Sequence, residues 1–510
     1  MSQESLITPS TREQLAELLL AQPCPPAFSQ DPELLNRYGQ DLDGSHCQPA
    51  AIVWPESEQC LKSLVLLANQ HGLCLHPLAQ GKNWGYGSAK GTAEGQIIVD
   101  LSRMNQVLEV NEQLAYVRLQ PGVTQQQVFE HLEQNHSGLQ LDITAAGKHT
   151  SMVGNILERG FGHTDYCDRF SNVLSLKVLL PTGEVIHTGM GCYQHSVAKD
   201  IYPYGIGPFI QGLFSQSNLG IVLEMTLALQ PKPDYSLQLI LMTKYQQAAS
   251  KMVACVAELK QQGIIQSGVH TASMSRAFGA ASKNMQGAWV LTASLSGPKA
   301  LAKAKFKVAK SLLLKRIPQS RVIMVTEGRL VLLQRLNKWL KLTAIKDLAL
   351  VMQLKKGIPT DQPLQTLLDD DKANSQMSAA DFPANFRWIC AVSSAEPSAI
   401  ETLLSICHHT FDQHGYEPRV TLTNISPRAV ILIANIRFDK DPESCAKAQA
   451  FYQQMDEKLL ANGFCPYRSG SGQFQQYRPA LTAEHVQLLQ RLKQALDPGG
   501  ILSPGKYNLD

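Results

Sequence analysis

The stretch Gly81 to Gly91, GKNWGYGSAKG, sets glycines around a tryptophan and a tyrosine. Glycine in a loop lets main-chain N–H groups approach a flat or phosphorylated ligand closely. Two large rings in the same loop point to contact with an organic substrate as well. Three further glycine-rich islands follow: GNILERGFGHTDYCD (154–168), YGIGPFIQGLFSQSNLGIV (204–222) and SPGK (503–506). Separate close-approach segments of this kind fit a long extended ligand, such as a dinucleotide, lying across one domain and held mainly by backbone N–H groups. Two common phosphate motifs are missing. YGIGPFIQG carries Pro208 and the wrong third spacing for G-x-G-x-x-G, and G-x-x-x-x-G-K-[ST] does not occur.

Other reactive residue types are scattered. The eleven cysteines, among them Cys60, Cys74, Cys167, Cys255 and Cys465, form no C-x-x-C pair. Dispersed thiols fit a reducing compartment and read as small buried apolar residues. Cys407, His408 and His409 are the densest ligand types, but adjacent helical residues point to different faces, so no metal is expected. With 46 basic and 43 acidic side chains the formal charge is +3, which argues against nucleic acid as a partner. Lys303 to Arg316, KAKFKVAKSLLLKR, carries six positive charges and no negative one. It reads as a solvated helix face, with a docking patch for an acidic partner as the sharper alternative. The N-terminus lacks a basic leader and a long apolar core, and no apolar run approaches the roughly 20 residues of a membrane span. A soluble, cytoplasmic protein without membrane association is expected.

The elements that must position the islands alternate in type. A chain of 510 residues should hold two or more domains at roughly 100 to 200 residues each. From about Ala50 to Pro231, strand-like runs (AIVW, CLHPLA, QIIVDL, AYVRLQPG, VLSLKVLLPTGEVI, IVLEMTLALQP) alternate with helical ones at Glu56–His71 and Thr124–Gln134. LPTGEV reads as a hairpin turn. After QPKPDYS the helical patterns lengthen and alternate with GAWVLTASLSG, RWICAVSS and RAVILIANIRF, which suggests helices covering one sheet. The Gly/Pro-rich C-terminus is placed to return to the first domain.

In order and spacing, QGKNWGYGSA, VDLSRMNQVLEV, LQPGVT, GNILERGFGHTDY, HTGMG, YPYGIGPFIQGLFSQSNLGIV, PKP and LDPGGILSPGK resemble the FAD-binding half of the vanillyl-alcohol oxidase and p-cresol methylhydroxylase (PCMH) family. The likeness spans almost the whole chain and is densest from about residue 50 to 233. It implies an α+β, two-domain flavoprotein. A PCMH-type FAD-binding domain would be formed by both chain ends, residues 1–233 (core about 45–233) with residues 467–510 returning to it. An α/β cap domain would be inserted at 234–466. The implied cofactor is FAD. Its implied contacts are Gly81, Lys82, Asn83, Trp84, Gly85, Gly87 and Ser88 in the first island, Ser151, Gly154, Asn155, Glu158, Arg159 and Gly162 around the second, then Gly220, Ile221 and Lys506.

By the same resemblance Tyr86 reaches from the pyrophosphate loop to the substrate, and Tyr467 with Arg468, in CPYRSG, completes a phenol-binding set. A phenol has a pKa of about 10, and a guanidinium with two tyrosine hydroxyls favours its anion. A para-substituted phenolate can expel hydride from the side-chain carbon attached para to its oxygen, leaving a quinone methide, so holding the anion lowers the barrier. Asp168 matches the family's carboxylate near flavin N5 and would assist as base or electrostatic partner. The expected function is FAD-dependent oxidation of an alcohol or alkyl carbon conjugated to a hydroxylated aromatic or heteroaromatic ring, with oxygen or a redox protein as acceptor. The alternatives are a flavin oxidase of a different biosynthetic metabolite and a flavoprotein subunit feeding a cytochrome-like partner. Members are often homo-oligomers.

The chain also departs from the family. Members attach FAD through a His or Tyr on a cap strand aligned near NFRWICAVSS, where this chain has Arg387 and Trp388 and, from Ala384 to Ser394, no His or Tyr. Noncovalent FAD and a weaker oxidant are therefore expected. Val430, Ile431 and Leu432 stand where members place histidines, and His163 and Cys167 replace Tyr and Gly, which implies a larger or less polar substrate than a simple methoxyphenol.

Overall fold

The computed structural model describes residues 9–278, 289–340, 343–470 and 473–509. Short apolar runs bounded by turn residues become strands. β1 (Ala27–Ser29), β2 (Ala51–Trp54), β3 (Leu75–Leu78) and β4 (Ile97–Asp100) form a sheet in the order β1-β2-β4-β3, with β2 and β3 both parallel to β4. Parallel strands need crossover connections, and the helix Glu58–His71 carries the chain from β2 across to β3, on the other side of β4. Ser57 starts that helix by accepting from Cys60 N at 3.2 Å, and Gly72 (φ 64°) ends it in the left-handed conformation.

β5 (Val107–Asn111), β6 (Tyr116–Leu119), β8 (Val173–Leu179), β9 (Val185–His187) and β10 (Ile221–Ala228) make an antiparallel sheet in the order β5-β6-β10-β8-β9. β7 (Leu139–Gln140) and β11 (Gln230–Pro231) pair separately. LPTGEV turns β8 into β9 as its residues require: Leu180 N donates to Glu184 O at 2.8 Å.

β12 (Ser236–Thr243), β13 (Val269–Ser273), β14 (Trp289–Ser296), β15 (Ser320–Thr326), β16 (Asn385–Ile389), β17 (Val392–Ser394), β18 (Val420–Asn424) and β19 (Ala429–Phe438) form one large sheet, ordered β15-β12-β14-β13-β18-β19-β16 with β17 also on β19. Successive side chains on a strand take opposite faces, and here each face has its own use. Leu239, Leu291, Leu422 and Leu432 pack against Val256, Phe306, Phe411 and Phe451 of four covering helices. Ile240, Val290, Thr292, His270 and Thr423 point the other way and line a cavity. Among the described residues, no helix is long and apolar enough to cross a membrane, and no cluster of three His, Cys, Asp or Glu could hold a metal ion. Cys407 is buried while His409 is exposed, as their adjacency on a helix requires.

The C-terminal segment returns to the first sheet. Leu75 N donates to Ile501 O at 2.7 Å and Ser503 N to Leu75 O at 2.8 Å, so residues 501–503 run beside β3. A buried ion pair fixes this return. Lys493 Nζ donates to Asp497 Oδ2 at 2.6 Å and to Leu502 O at 2.8 Å, while the Asp497 carboxylate accepts from Ile501 N at 3.0 Å and Leu502 N at 2.9 Å. Removing one partner of such a pair leaves an uncompensated buried charge and costs about 3–5 kcal/mol. Asp497→Ala is therefore expected to lower the thermal unfolding midpoint by several degrees and to weaken FAD retention, read by differential scanning calorimetry and gel filtration.

Candidate functional site

The first island leaves the end of β3 as a tightly wound loop in which Tyr86 N donates to Asn83 O at 2.9 Å and Ser88 N to the same oxygen at 3.1 Å. One wall of a long cleft is built from this loop (Gly81, Asn83, Gly87, Ser88). The others come from Ser151–Glu158, Phe214–Val222 and the returning Ser503, Lys506 and Tyr507. Close packing sets its shape: a Cβ on Gly154 would lie 3.1 Å from the Ala79 Cβ. Asn218 Nδ2 donates to Ser503 O at 2.9 Å and Leu509 O at 3.1 Å, while Gln216 Nε2 donates to Tyr467 O at 2.9 Å. Three lining residues, Glu158 (Oε2), Asn218 (Oδ1) and Arg468 (Nε), carry a buried polar atom with no protein partner. Buried polar groups are rarely left unpaired, so the cleft suits a ligand rich in donors and acceptors.

A second cavity of about 840 Å³ lies between this loop and the inner face of the large sheet. Lys82, Asn83, Tyr86, Asn155 and Arg468 line both spaces, so the two meet there. At the junction the Arg468 guanidinium stacks on the Tyr86 ring, 4.4 Å from its centroid, and donates to Asn83 Oδ1. Tyr467 lines the same cavity beside them, its ring 6.0 Å from that of Phe161. Burial, partly opposed by Arg468, pushes Tyr467 up to about 12 and Tyr86 well above the ordinary phenol value. Both tyrosines therefore keep their protons at neutral pH and can donate. Burial works against the Arg468 charge, but Glu158, Tyr467 and Tyr86 hold it above the usual guanidinium value. Two tyrosine hydroxyls and one permanent cation thus line the same part of the cavity wall.

Most of the residues expected from the sequence come together. Gly81, Lys82, Asn83, Gly87, Ser88, Ser151, Gly154, Asn155, Glu158, Gly220, Ile221 and Lys506 line the cleft. Ser151 spends its hydroxyl on a helix cap, accepting from Gly154 N at 2.9 Å. Trp84 lines the second cavity instead, packed edge-on to Phe382 at 4.7 Å. Gly85 (φ 70°) lines neither; a Cβ there would lie 2.9 Å from Phe386 and 3.0 Å from Trp388, so its role is to let the large sheet close over the loop. Arg159 turns away to donate to Ser215 Oγ at 3.0 Å. Gly162 gives room to the Asp142 carboxylate. Asp168 is the chief correction. It is exposed and lines neither space, and its carboxylate accepts from Ser171 N at 3.4 Å, while its neighbours Cys167 and Arg169 take the inward positions.

The large sheet divides the residues of the two departures between its faces. Arg387 points away from the cavity and pairs with Asp456, whereas Trp388 faces it and donates from Nε1 to Trp84 O at 2.9 Å. Val430 and Leu432 face the helices; their cavity-facing neighbours are Ile433 and Asn435. Sequence reasoning missed His270, Arg276 and Lys355, which line the cavity but sit in no motif. His270 Nε2 and His163 Nδ1 are 3.0 Å apart. Burial with the nearby Lys355 charge drives His163 down to about 3 and His270 well below the ordinary imidazole range, so both are neutral.

An FAD binding domain family matches residues 49–189, and the C-terminal domain of FAD linked oxidases matches residues 430–507. The 1'-carboxy-chondrochloren decarboxylase of Chondromyces crocatus is 31% identical over 491 residues, 90% of each chain. The 4-cresol dehydrogenase [hydroxylating] flavoprotein subunit of Pseudomonas putida is 25% identical over 93% of this chain and 91% of its own. This chain belongs to the PCMH-type family of FAD-linked oxidoreductases. A crystal structure of p-cresol methylhydroxylase with substrate bound superposes with a TM-score of 0.88 at 22% identity, over 99% of this chain and 98% of that one, which establishes the fold.

As a PCMH-type enzyme the protein uses FAD, and the long cleft with its unpaired Glu158, Asn218 and Arg468 atoms fits that cofactor. Among the lysines of the adjoining cavity, burial first of all lowers Lys355 to about 8. Below that pH the native ammonium is charged and costly to bury; between about 8 and the ordinary lysine value near 10.4 the unfolded chain binds the extra proton, so stability rises with pH. Lys355→Met should remove a burden of roughly 3 kcal/mol. The unfolding-midpoint difference between variant and parent is expected to be most positive at pH 7 and to shrink towards pH 10, measured by urea titration.

Proposed function

We propose that this enzyme oxidises para-substituted phenols by binding them as phenolates, with Tyr86, Tyr467 and Arg468 on the phenolic oxygen. The single observation that carries the reading is that two protonated tyrosines and one guanidinium line the cavity, Tyr86 and Arg468 stacked where it meets the cofactor cleft. FAD, when bound, supplies a two-electron oxidant that accepts hydride. The protein's part is to stabilise the anion: two hydroxyls donate to its oxygen, and Arg468 compensates its charge in a site where burial strengthens both effects. Asn83 accepts from the guanidinium, and the Glu158 charge favours its cationic form. The cavity walls, Ile240, Val290, Val325 and Leu354, exclude water from the reacting carbon. The exposed position of Asp168 supports a mechanism in which charge stabilisation, rather than that carboxylate, drives hydride departure.

FAD is read as noncovalent, because Trp388 is the cavity-facing residue of the strand where an attachment site was sought and it offers no nucleophile. Oxygen or a redox protein takes the electrons; the relative described as a flavoprotein subunit supports the latter. All eleven cysteines are free thiols, which supports a reducing, cytoplasmic setting. The relative named as a carboxy-substrate decarboxylase supports extending the substrate class to phenols with a carboxylated side chain.

Anaerobic mixing with 4-alkylphenols should bleach the flavin band. Arg468→Ala is expected to slow that bleaching about 10²–10³-fold, the scale of losing one preorganised charge-stabilising donor, while FAD stays bound. Bleaching that is unimpaired in Arg468→Ala would refute the phenolate reading. Acid precipitation should leave the colour in the supernatant; a yellow pellet would show covalent attachment.

A further inference from the structure

The cavity is cationic. Among the described residues that line it, Lys82, Arg276, Lys355, Arg419, Arg437 and Arg468 stand against one acid, Glu417, whose carboxylate lies 3.6 Å from Arg419 Nε. Most of these cations are used by the protein. Lys82 donates to the carbonyls of Gln376 and Met377, Arg437 to that of Leu368, Lys355 to that of Gly268, and Arg468 is compensated by Glu158. Arg276 differs. Among the described residues its hydrogen bond is to a neutral amide, Asn435 Oδ1, at 3.2 Å, and its guanidinium lies 5.4 Å from the centroid of the Trp388 ring. Stacking of this kind occupies the face of the guanidinium and leaves its N–H edge for a planar anion.

We propose that Arg276, with Arg419 nearby, binds a carboxylate carried on the side chain of the phenolic substrate. The proposal rests on the phenolate reading and adds the second anchor point. Three observations support it. First, partial burial and the Arg419 charge lower Arg276 only to about 10, so it stays a cation at neutral pH and an incoming anion relieves the cost of that half-buried charge. Second, the fork of a guanidinium matches a carboxylate through two parallel hydrogen bonds. Third, the two anchors are tied together: Trp388, beneath Arg276, donates to Trp84 O, and only Gly85 separates Trp84 from Tyr86. Ile240, Met242, Val290 and Val325 give the same cavity an apolar wall, which suits a hydrocarbon skeleton. The predicted substrate is thus a 4-hydroxyphenyl compound whose side chain ends in or carries a carboxylate.

The test compares 4-hydroxyphenylalkanoates of graded chain length with their methyl esters, which keep the skeleton and lose the charge. The parent holoenzyme is expected to favour the best acid over its ester at least tenfold in kcat/KM. Arg276→Gln should cut that acid-to-ester ratio at least tenfold, chiefly through KM, and Arg276→Lys should restore part of it; the flavin spectrum of each variant reports folding. A ratio unchanged by Arg276→Gln, or a parent that prefers the ester, overturns the proposal. Failure of the phenolate reading looks different: no phenol would bleach the flavin. In that case, acid-induced flavin spectral shifts in the parent that vanish in Arg276→Gln would uphold the carboxylate site, and their absence from both would overturn it.

Discussion

A buried guanidinium must be compensated, and Arg468 meets that demand by drawing three parts of the chain together. It comes from the segment after the large sheet, stacks on Tyr86 and donates to Asn83 in the glycine loop, and takes electrostatic compensation from Glu158 at the end of the helix Met152–Leu157. Loss of any partner would leave charge or donors stranded in a low-dielectric site. The same contact marks where the cofactor cleft ends and the cavity begins. Structure and chemistry share one constraint here, because the charge that binds these segments is the charge that would hold a phenolate.

Around that point the large sheet works on both faces. Its outer alternation buries leucines under four helices, and its inner alternation builds the cavity roof. A one-residue slip in any strand would exchange core and cavity residues. The long antiparallel ladders hold that register; β12 pairs with β14 over eight residues, from Ser236 opposite Ser296 to Thr243 opposite Trp289. The seam to the first sheets is equally tight: Gly85 has no side chain because Phe386 and Trp388 occupy the space one would need.

The glycine islands were legible because close backbone approach demands a residue type, and that demand is written locally. The cleft formed by Gly81, Gly87, Gly154, Gly220 and Lys506 was visible for this reason. Orientation was not. Cys167, Asp168 and Arg169 are consecutive, yet the buried Arg169–Asp142 contact (3.5 Å) claims the interior and turns Asp168 to solvent. Arg387 and Trp388 divide in the same way across the large sheet, one towards Asp456 and the other into the cavity.

By itself the sequence determined the α+β order of elements, the hairpin at LPTGEV and the cofactor class, because periodicity, turn chemistry and multi-residue motifs are local properties of the chain. Only the tertiary structure decided which side chains share a space. His163 and His270, Arg276 and Asn435, and Trp84 and Trp388 meet across 107, 159 and 304 residues respectively. Such pairs carry no spacing signal, since their proximity arises from strand register and from the closure of the large sheet over the glycine loop.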